Sequence, residues 1–244
     1  MTNSCFERLE DLSEIFGRNY YRLIRLNYEN IRDDLTGLEV PNFVLAQLWG
    51  EDVYNSKVLA CLGFQKTSLL ALLVAELSEN SPGQSPRPET GIDLGMDLPG
   101  RCPQPSSGLN QDGALLDRHA VNLRLNGLAF DPRIAEETIV AFNRWRLEQS
   151  LGESGMLHFV DGDGLVSFKP EADKVTIDLL SVLTPRKGVG TDLAHRVFGW
   201  AQARGSSRVE VSTECENLPA FLFYQKCGFR LTRTIGVFHR HAGG

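Results

Sequence analysis

Thr176 to Thr191 reads TIDLLSVLTPRKGVGT, and its reading decides the fold. A β-branched, apolar run breaks at Pro185, and two glycines one residue apart, Gly188 and Gly190, then open an amphipathic stretch reaching about Ala203. Val175 to Leu183 is mostly apolar, the pattern of a strand buried on both faces in the middle of a sheet. Helix N-termini leave backbone N–H groups unpaired and carry partial positive charge. A glycine-spaced turn at that point can therefore close on a phosphate without Cβ interference. Strand, turn and helix together predict an α/β architecture with an anion cradle from Lys187 to Thr191.

Glycine-x-glycine before a helix also occurs where helix and strand merely pack closely, so the sequence downstream carries the weight. A second strand, Arg208 to Thr213, leads into Asn217-Leu-Pro-Ala220-Phe-Leu-Phe-Tyr224-Gln-Lys-Cys-Gly228-Phe229. The order strand, R-K-G-V-G-T, helix, strand, N-x-x-A-x-x-x-Y-x-K-x-G-F resembles the GNAT superfamily of acetyl-CoA-dependent N-acetyltransferases. The likeness runs in outline from Ala114 onward and in motif detail over the last strands and helices.

That resemblance implies a mixed α/β, α+β-like fold with a central mixed sheet flanked by helices, and acetyl-CoA as co-substrate. It implies that Arg186, Lys187, Gly188, Val189, Gly190 and Thr191 hold the diphosphate, and that Asn217 hydrogen-bonds the pantetheine arm or the chain around it. Leu180 and Val182 would act through their backbones, because a strand splayed beside the cofactor can pair with its amides as another strand would. Tyr224 would be the general acid that protonates the departing thiolate. The family usually carries Gln or Arg three places before the first spaced glycine, and Pro185 stands there. Either Arg186 supplies the charge, or the turn relies on backbone donors and Lys187.

The residues support part of this independently. Tyr224 follows Asn217 by two helical turns, so both face the same way. Phenol and thiol have ordinary pKa values near 10 and 8.5, so the proton transfer is uphill by only about 2 kcal/mol. Asp178 shares its side-chain phase with Leu180 and Val182 on the central strand, where some members of the superfamily place a base. His158 and His195 are alternatives for that role. Single histidines on a strand or an amphipathic helix are more often structural. No metal-ligand or Ser-His-Asp spacing is present, and Asp161-Gly-Asp-Gly164 lacks the later ligands of a calcium loop and reads as a hairpin turn.

The chain has 244 residues, 42% of them hydrophobic, and a formal net charge of −6, which argues against nucleic acid as a partner. CoA is polyanionic, so its site must be locally basic; Arg186, Lys187, Arg196 and Arg204 supply such a cluster. Five widely spaced cysteines without a C-x-x-C pair suit a reducing compartment. The charged start lacks the apolar core of a signal peptide, and the longest apolar run is too short to span a bilayer. A soluble cytoplasmic protein, with no membrane partner, is expected; a homodimer is compatible with the sequence.

Residues 1–77 read as a small α+β domain. Residues 78–113 hold six of the eleven prolines and few large apolar residues, a linker; 114–244 form the acetyltransferase domain. In the first domain, residues 4–16 have helical apolar spacing. Asn55 to Phe64 and the strand after it echo Asn217 to Phe229 and its strand, with a shorter interval from Asn to Gly. The first part would then be a truncated, degenerate copy without a cradle. In the second domain, Asp131-Pro132 looks like a helix cap with proline in the first turn. The two-part layout is similar to the dTDP-fucosamine (dTDP-4-amino-4,6-dideoxygalactose) N-acetyltransferases, with Ile15-Phe16-Gly17 and Leu62-Gly63-Phe64 as further points of likeness. By that analogy the acceptor is a small-molecule amine on a nucleotide-linked sugar. Alternatives are a peptide, polyamine or antibiotic amine, or a module that binds acetyl-CoA without turning it over.

Overall fold

The computed structural model describes residues 5–24, 31–40, 42–49, 52–77, 105, 113–123, 125–161 and 163–242. Apart from Pro105 and Gly113, the expected linker lies outside the described residues. The first part of the chain gives β1 Phe6–Arg8, α1 Glu10–Phe16, β2 Asn19–Leu23, α2 Ile31–Thr36, β3 Asn42–Trp49, α3 Val53–Cys61 and β4 Gln65–Glu76. The second gives α4 Gly113–Asn122, a 3₁₀ turn Gly127–Phe130, α5 Glu136–Gly152, β5 Leu157–Asp161, β6 Gly164–Pro170 and β7 Lys174–Val182. It closes with α6 Val189–Ala203, β8 Arg208–Glu214, α7 Leu218–Lys226 and β9 Arg230–Ala242.

Among the described residues, nine strands join one mixed sheet in the order β1-β2-β3-β9-β4-β8-β7-β6-β5, with β2–β3 and β7–β8 parallel and the other pairs antiparallel. Two segments, β3-α3-β4 and β8-α7-β9, repeat the same strand-helix-strand path. Their last strands pair with each other, and each also lies against the other segment's first strand. The first segment thus reaches into the centre of the sheet.

One face of the sheet buries Phe168, Val175, Ile177, Val209 and Val211 under Leu193, Ala194, Val197 and Ala201 of α6. Leu193 and Val197 are wholly buried, each stabilising the fold by roughly 2 kcal/mol. On the other face Leu165 and Leu179 meet Leu116 and Ala120 of α4 and Leu147 of α5. A one-residue slip in the β6–β7 register separates the two sets: Phe168 faces Ile177, and Ser167 faces Leu179. The extra residue, Asp178, is a β-bulge, and it turns the strand over so that Ile177 and Leu179 serve opposite faces. Only alternate residues of β7 are fully buried, so it is a strand with one dry side at a time rather than one dry on both.

Two local expectations give way to long-range pairing. The helical spacing over 4–16 ends at Leu9, because Phe6–Arg8 pairs with β2 at the sheet edge and the helix begins at Glu10. Asp131 does not cap a helix: α5 starts at Glu136 behind Ala135, with no side-chain cap. The Asp131 carboxylate instead lies buried, accepting from Arg133 Nε at 2.8 Å and Nη2 at 2.9 Å, and from His239 Nδ1 and His241 Nε2 at 2.9 Å each. A buried carboxylate needs such partners. The two histidine bonds rivet β9 to the segment before α5, and the two from Arg133 hold the carboxylate in place for them. Phe43 of β3 sets its ring against both imidazoles.

Candidate active site

The pairing of β7 with β8 ends at Ile177↔Val211. Beyond that point β7 continues along β6 to Val182 and β8 continues along β4 to Glu214. The two central strands therefore splay, opening a wedge whose β7 wall carries Asp178, Leu180 and Val182. Part of that wall's backbone is already engaged: the Val182 carbonyl accepts from Asn122 Nδ2 at 3.1 Å and the Asp178 carbonyl from Arg146 Nη2 at 2.9 Å.

The glycine turn sits at the mouth of the wedge. Arg186 is the one non-glycine residue with positive φ among those described, at 70°, and Gly188 follows at 81°. A left-handed arginine is strained, and such strain concentrates at functional turns. A Cβ on Gly188 would meet nothing, so that glycine answers to its φ. Gly190 answers to packing, because a Cβ there would press on the Phe223 ring at 3.3 Å and on Val182 at 3.4 Å. Asp161-Gly-Asp-Gly164 acts as the turn's footing. The Asp163 carbonyl and carboxylate accept from Leu183 N and Thr184 Oγ1, and Gly164 admits Val189 and Leu193 where any side chain would clash.

Among the described residues, the N–H groups of Lys187 to Thr191 donate to no protein acceptor; the first helical bond is Asp192 N–H to the Gly188 carbonyl at 3.0 Å. Arg186 and Lys187 are exposed and, among the described residues, meet no carboxylate. The other two expected cations are engaged elsewhere. Arg196 pairs with Asp161 and Asp192, and Arg204 lies over the Trp200 ring at 4.9 Å. What remains at the turn is a row of free amides with two unpaired cations, the composition a diphosphate needs.

Across the wedge, Asn217 caps α7. Its Oδ1 accepts from Ala220 N at 3.4 Å while Nδ2 donates to the Leu125 carbonyl at 3.2 Å. Tyr224, two turns on, is 6% exposed and packs edge-on to Phe229 and Phe223. Burial pushes its phenol above the ordinary value, so it holds its proton throughout the neutral range. The same desolvation would raise a thiol beside it, which keeps the two groups comparable.

Sequence reasoning missed two residues here. Arg146, from α5, holds the Asp178 carbonyl and lies 3.4 Å from its carboxylate, and its charge also bears on Glu214 and Tyr224. Glu214, the last residue of β8, accepts the Gly127 N–H at 2.7 Å, and burial raises its pKa. Neither gave a signal: Glu214 ends a strand that already carries Arg208 and Glu210, and Arg146 stands near Arg144 in mid-helix. Beside Asp178 a cavity of about 340 Å³ is lined by Trp145, Arg146, Glu153, Lys169 and Glu171. His158 lies in the core, and its pKa is lowered by burial. His195 is on α6, across the sheet from α5. Among the described residues no helix is long and apolar enough to cross a membrane.

Residues 155–229 match the model of the acetyltransferase (GNAT) family. Over 70 residues the chain is 33% identical to an uncharacterized protein, YxbD, of Bacillus subtilis (strain 168); the match covers 29% of this chain and 44% of that relative's length. A functionally unknown conserved protein from Staphylococcus epidermidis ATCC 12228 superposes with TM-score 0.56 at 13% identity, over 99% of this chain and 93% of that one. A tandem GNAT protein from the clavulanic acid biosynthesis pathway superposes with TM-score 0.50 at 13% identity, over 92% and 76%. The fold is therefore the GNAT acetyltransferase fold, a large mixed sheet flanked by helices, as the motif resemblance implied.

Proposed function

We propose that the chain is an N-acetyltransferase that moves the acetyl group of acetyl-CoA to a primary amine. The observation that carries this reading is the row of free amides at Lys187 to Thr191 beside the parted central strands, with a buried, protonated phenol on the helix that follows β8. The diphosphate would rest on those amides, with Arg186 and Lys187 supplying charge. The pantetheine arm would run between β7 and β8 past Val182 and Leu180, and the thioester would stop near Tyr224. An N–H near Leu180 would polarise the carbonyl, and Tyr224 would protonate the leaving sulfur. Asp178, on the bulge at the acceptor side, would help to place the amine. Asn217 would hold the start of α7 for the arm.

The first acceptor to test is the amine of a nucleotide-linked, dTDP-type amino sugar, by analogy of layout. The cavity beside Asp178 favours a second class: three carboxylates, Glu153, Glu171 and Asp178, face two cations, Arg146 and Lys169, and Lys169 is paired with Glu153. Such a lining suits a cationic amine, as in a peptide, polyamine or antibiotic, better than a diphosphate. The residues before the linker are read as a degenerate copy of the catalytic half, on the repeated strand-helix-strand path.

Calorimetric titration of CoA, then thiol release with acetyl-CoA and a panel of both amine classes, tests the reading. Binding with release in the presence of one class supports it and names the acceptor. Binding without release from any amine leaves a non-catalytic acetyl-CoA module, and no binding ends the proposal.

A further inference from the structure

Glu214 occupies a position that the proposed transfer leaves without a task. It ends β8 three residues past the last β7–β8 pair, where the wedge is open, and its pairing partner on β4 is Leu70. One carboxylate oxygen, Oε1, is fixed by the Gly127 N–H at 2.7 Å, and the residue's own backbone N–H also donates to the carboxylate. The site around it is built rather than incidental. Asn126 caps the 3₁₀ turn through Leu128 and Ala129, and its amide donates to Asn143 of α5, so the Gly127 N–H is aimed by a buried network. Ser68 of β4 is 2% exposed, its hydroxyl has no partner, and it abuts the same Gly127.

The titratable groups facing Glu214 are Arg146 from α5, Glu216 from the turn after β8 and the Tyr224 phenol from α7, with Cys215 next in the chain. The nearest part of β4 presents the Ser68 hydroxyl, and the 3₁₀ turn presents backbone. Nothing in this set supplies a close ion pair, so burial prevails and the carboxyl titrates nearer neutrality than an exposed glutamate.

We propose that Glu214 is the general base of the transfer: its carboxylate, which keeps lone pairs beyond those its two backbone donors use, takes the proton from the incoming ammonium at the open end of the wedge. This rests on the acetyltransferase reading. Written in balance, an alkylammonium and the thioester give the amide, the thiol and one proton. Glu214 removes the first nitrogen proton and passes it to solvent, and the freed lone pair forms the C–N bond. Collapse of the adduct breaks C–S, Tyr224 protonates sulfur, and the second nitrogen proton restores the phenol.

Asp178 is the competing carboxylate. Its oxygen already lies 3.4 Å from Arg146 and its side chain is 37% exposed, so it is the more solvated of the two and already faces a cation.

Glu214→Gln keeps the acceptor for Gly127 and removes only the base. With the amine that the wild type uses, kcat/KM at pH 7 should fall by about 100-fold or more, the usual share of general-base catalysis. The affinity for CoA and the midpoint of unfolding should not change. The deficit should shrink as pH rises toward the pKa of the amine, because free amine then needs no base. Asp178→Asn should lose under 10-fold with the wild-type pH profile retained. A Glu214→Gln enzyme within 2-fold of wild type across pH overturns the assignment. So does a loss that is constant with pH and accompanied by weaker CoA binding or lower stability, since that is a structural role. Failure of the wild type to release thiol from any amine would instead strike the acetyltransferase reading itself.

Discussion

The helices α3 and α7 are built alike bond for bond. Asp52 accepts the Asn55 N–H at the start of one, as Asn217 accepts the Ala220 N–H at the start of the other. Leu62 and Cys227 end them with nearly the same backbone angles, left-handed Gly63 and Gly228 follow, and Phe64 and Phe229 send their N–H back to Leu59 and Tyr224. The counterpart of Asn217 is thus Asp52, not Asn55, and the interval to the glycine is the same in both. The shorter interval expected from sequence came from matching asparagine to asparagine, when a cap needs only a short side-chain oxygen. The two segments differ in cargo: wholly buried Leu59 stands where Tyr224 stands, and the glycine turn at 188–190 leads into α6, just ahead of the second segment. Capping and strand pairing set the frame, and chemistry is added to it by few residues.

Six substitutions and one titration would break or sharpen this comparison. Tyr224→Phe should lower turnover by about 100-fold or more while leaving CoA affinity intact. Retained turnover in steady-state assays would make α7 as inert as α3. Leu59→Ala should instead cost about 2–5 kcal/mol of stability with turnover per folded molecule unchanged, read by urea unfolding and activity on the same sample. If it abolished turnover in folded protein, the first half would be part of the site.

The seam between halves should fail in acid. Burial lowers His239 to about 4, below its unfolded value of about 6.5, so the folded state refuses a proton that the unfolded chain accepts. Stability is then full above pH 6.5 and falls as pH drops toward 4, by about 3 kcal/mol at most. Unfolding midpoints that stay flat over that range would show that His239 is not the determinant.

Asp52→Ala and Asn217→Ala should each cost about 1 kcal/mol, a matched pair of cap losses. Only the second should also raise KM for acetyl-CoA, and equal effects on KM would dissolve the distinction. Gly188→Ala should be the mildest in stability, about 1 kcal/mol or less for a side chain at a φ of 81°. Its weaker CoA binding, measured by titration, would separate that turn from left-handed Gly63, where alanine should leave binding unchanged.

Much of the candidate site could be read from the chain. The strand before Pro185, the glycine turn, the Asn217 cap and the Tyr224 spacing are all local patterns, fixed by neighbours within a turn or two. The misreadings have one cause. Phe6 looked helical until an edge strand claimed it, and Asp131-Pro132 looked like a cap until Arg133 and two histidines far along the chain claimed the carboxylate. Arg146 and Glu214 were invisible as a pair because α5 and β8 are far apart in the chain and only the folded sheet brings them near each other.

The sequence alone determined the elements and the turn, since φ preferences, caps and alternation are short-range and each residue carries its own share of them. Only the tertiary structure decided that β4 and β9 interleave, that the bulge at Asp178 turns β7 over, and that the central strands part after Ile177 and Val211. Those are choices of register between distant segments. Their energy lies in which surfaces meet, and no stretch of chain holds that information by itself.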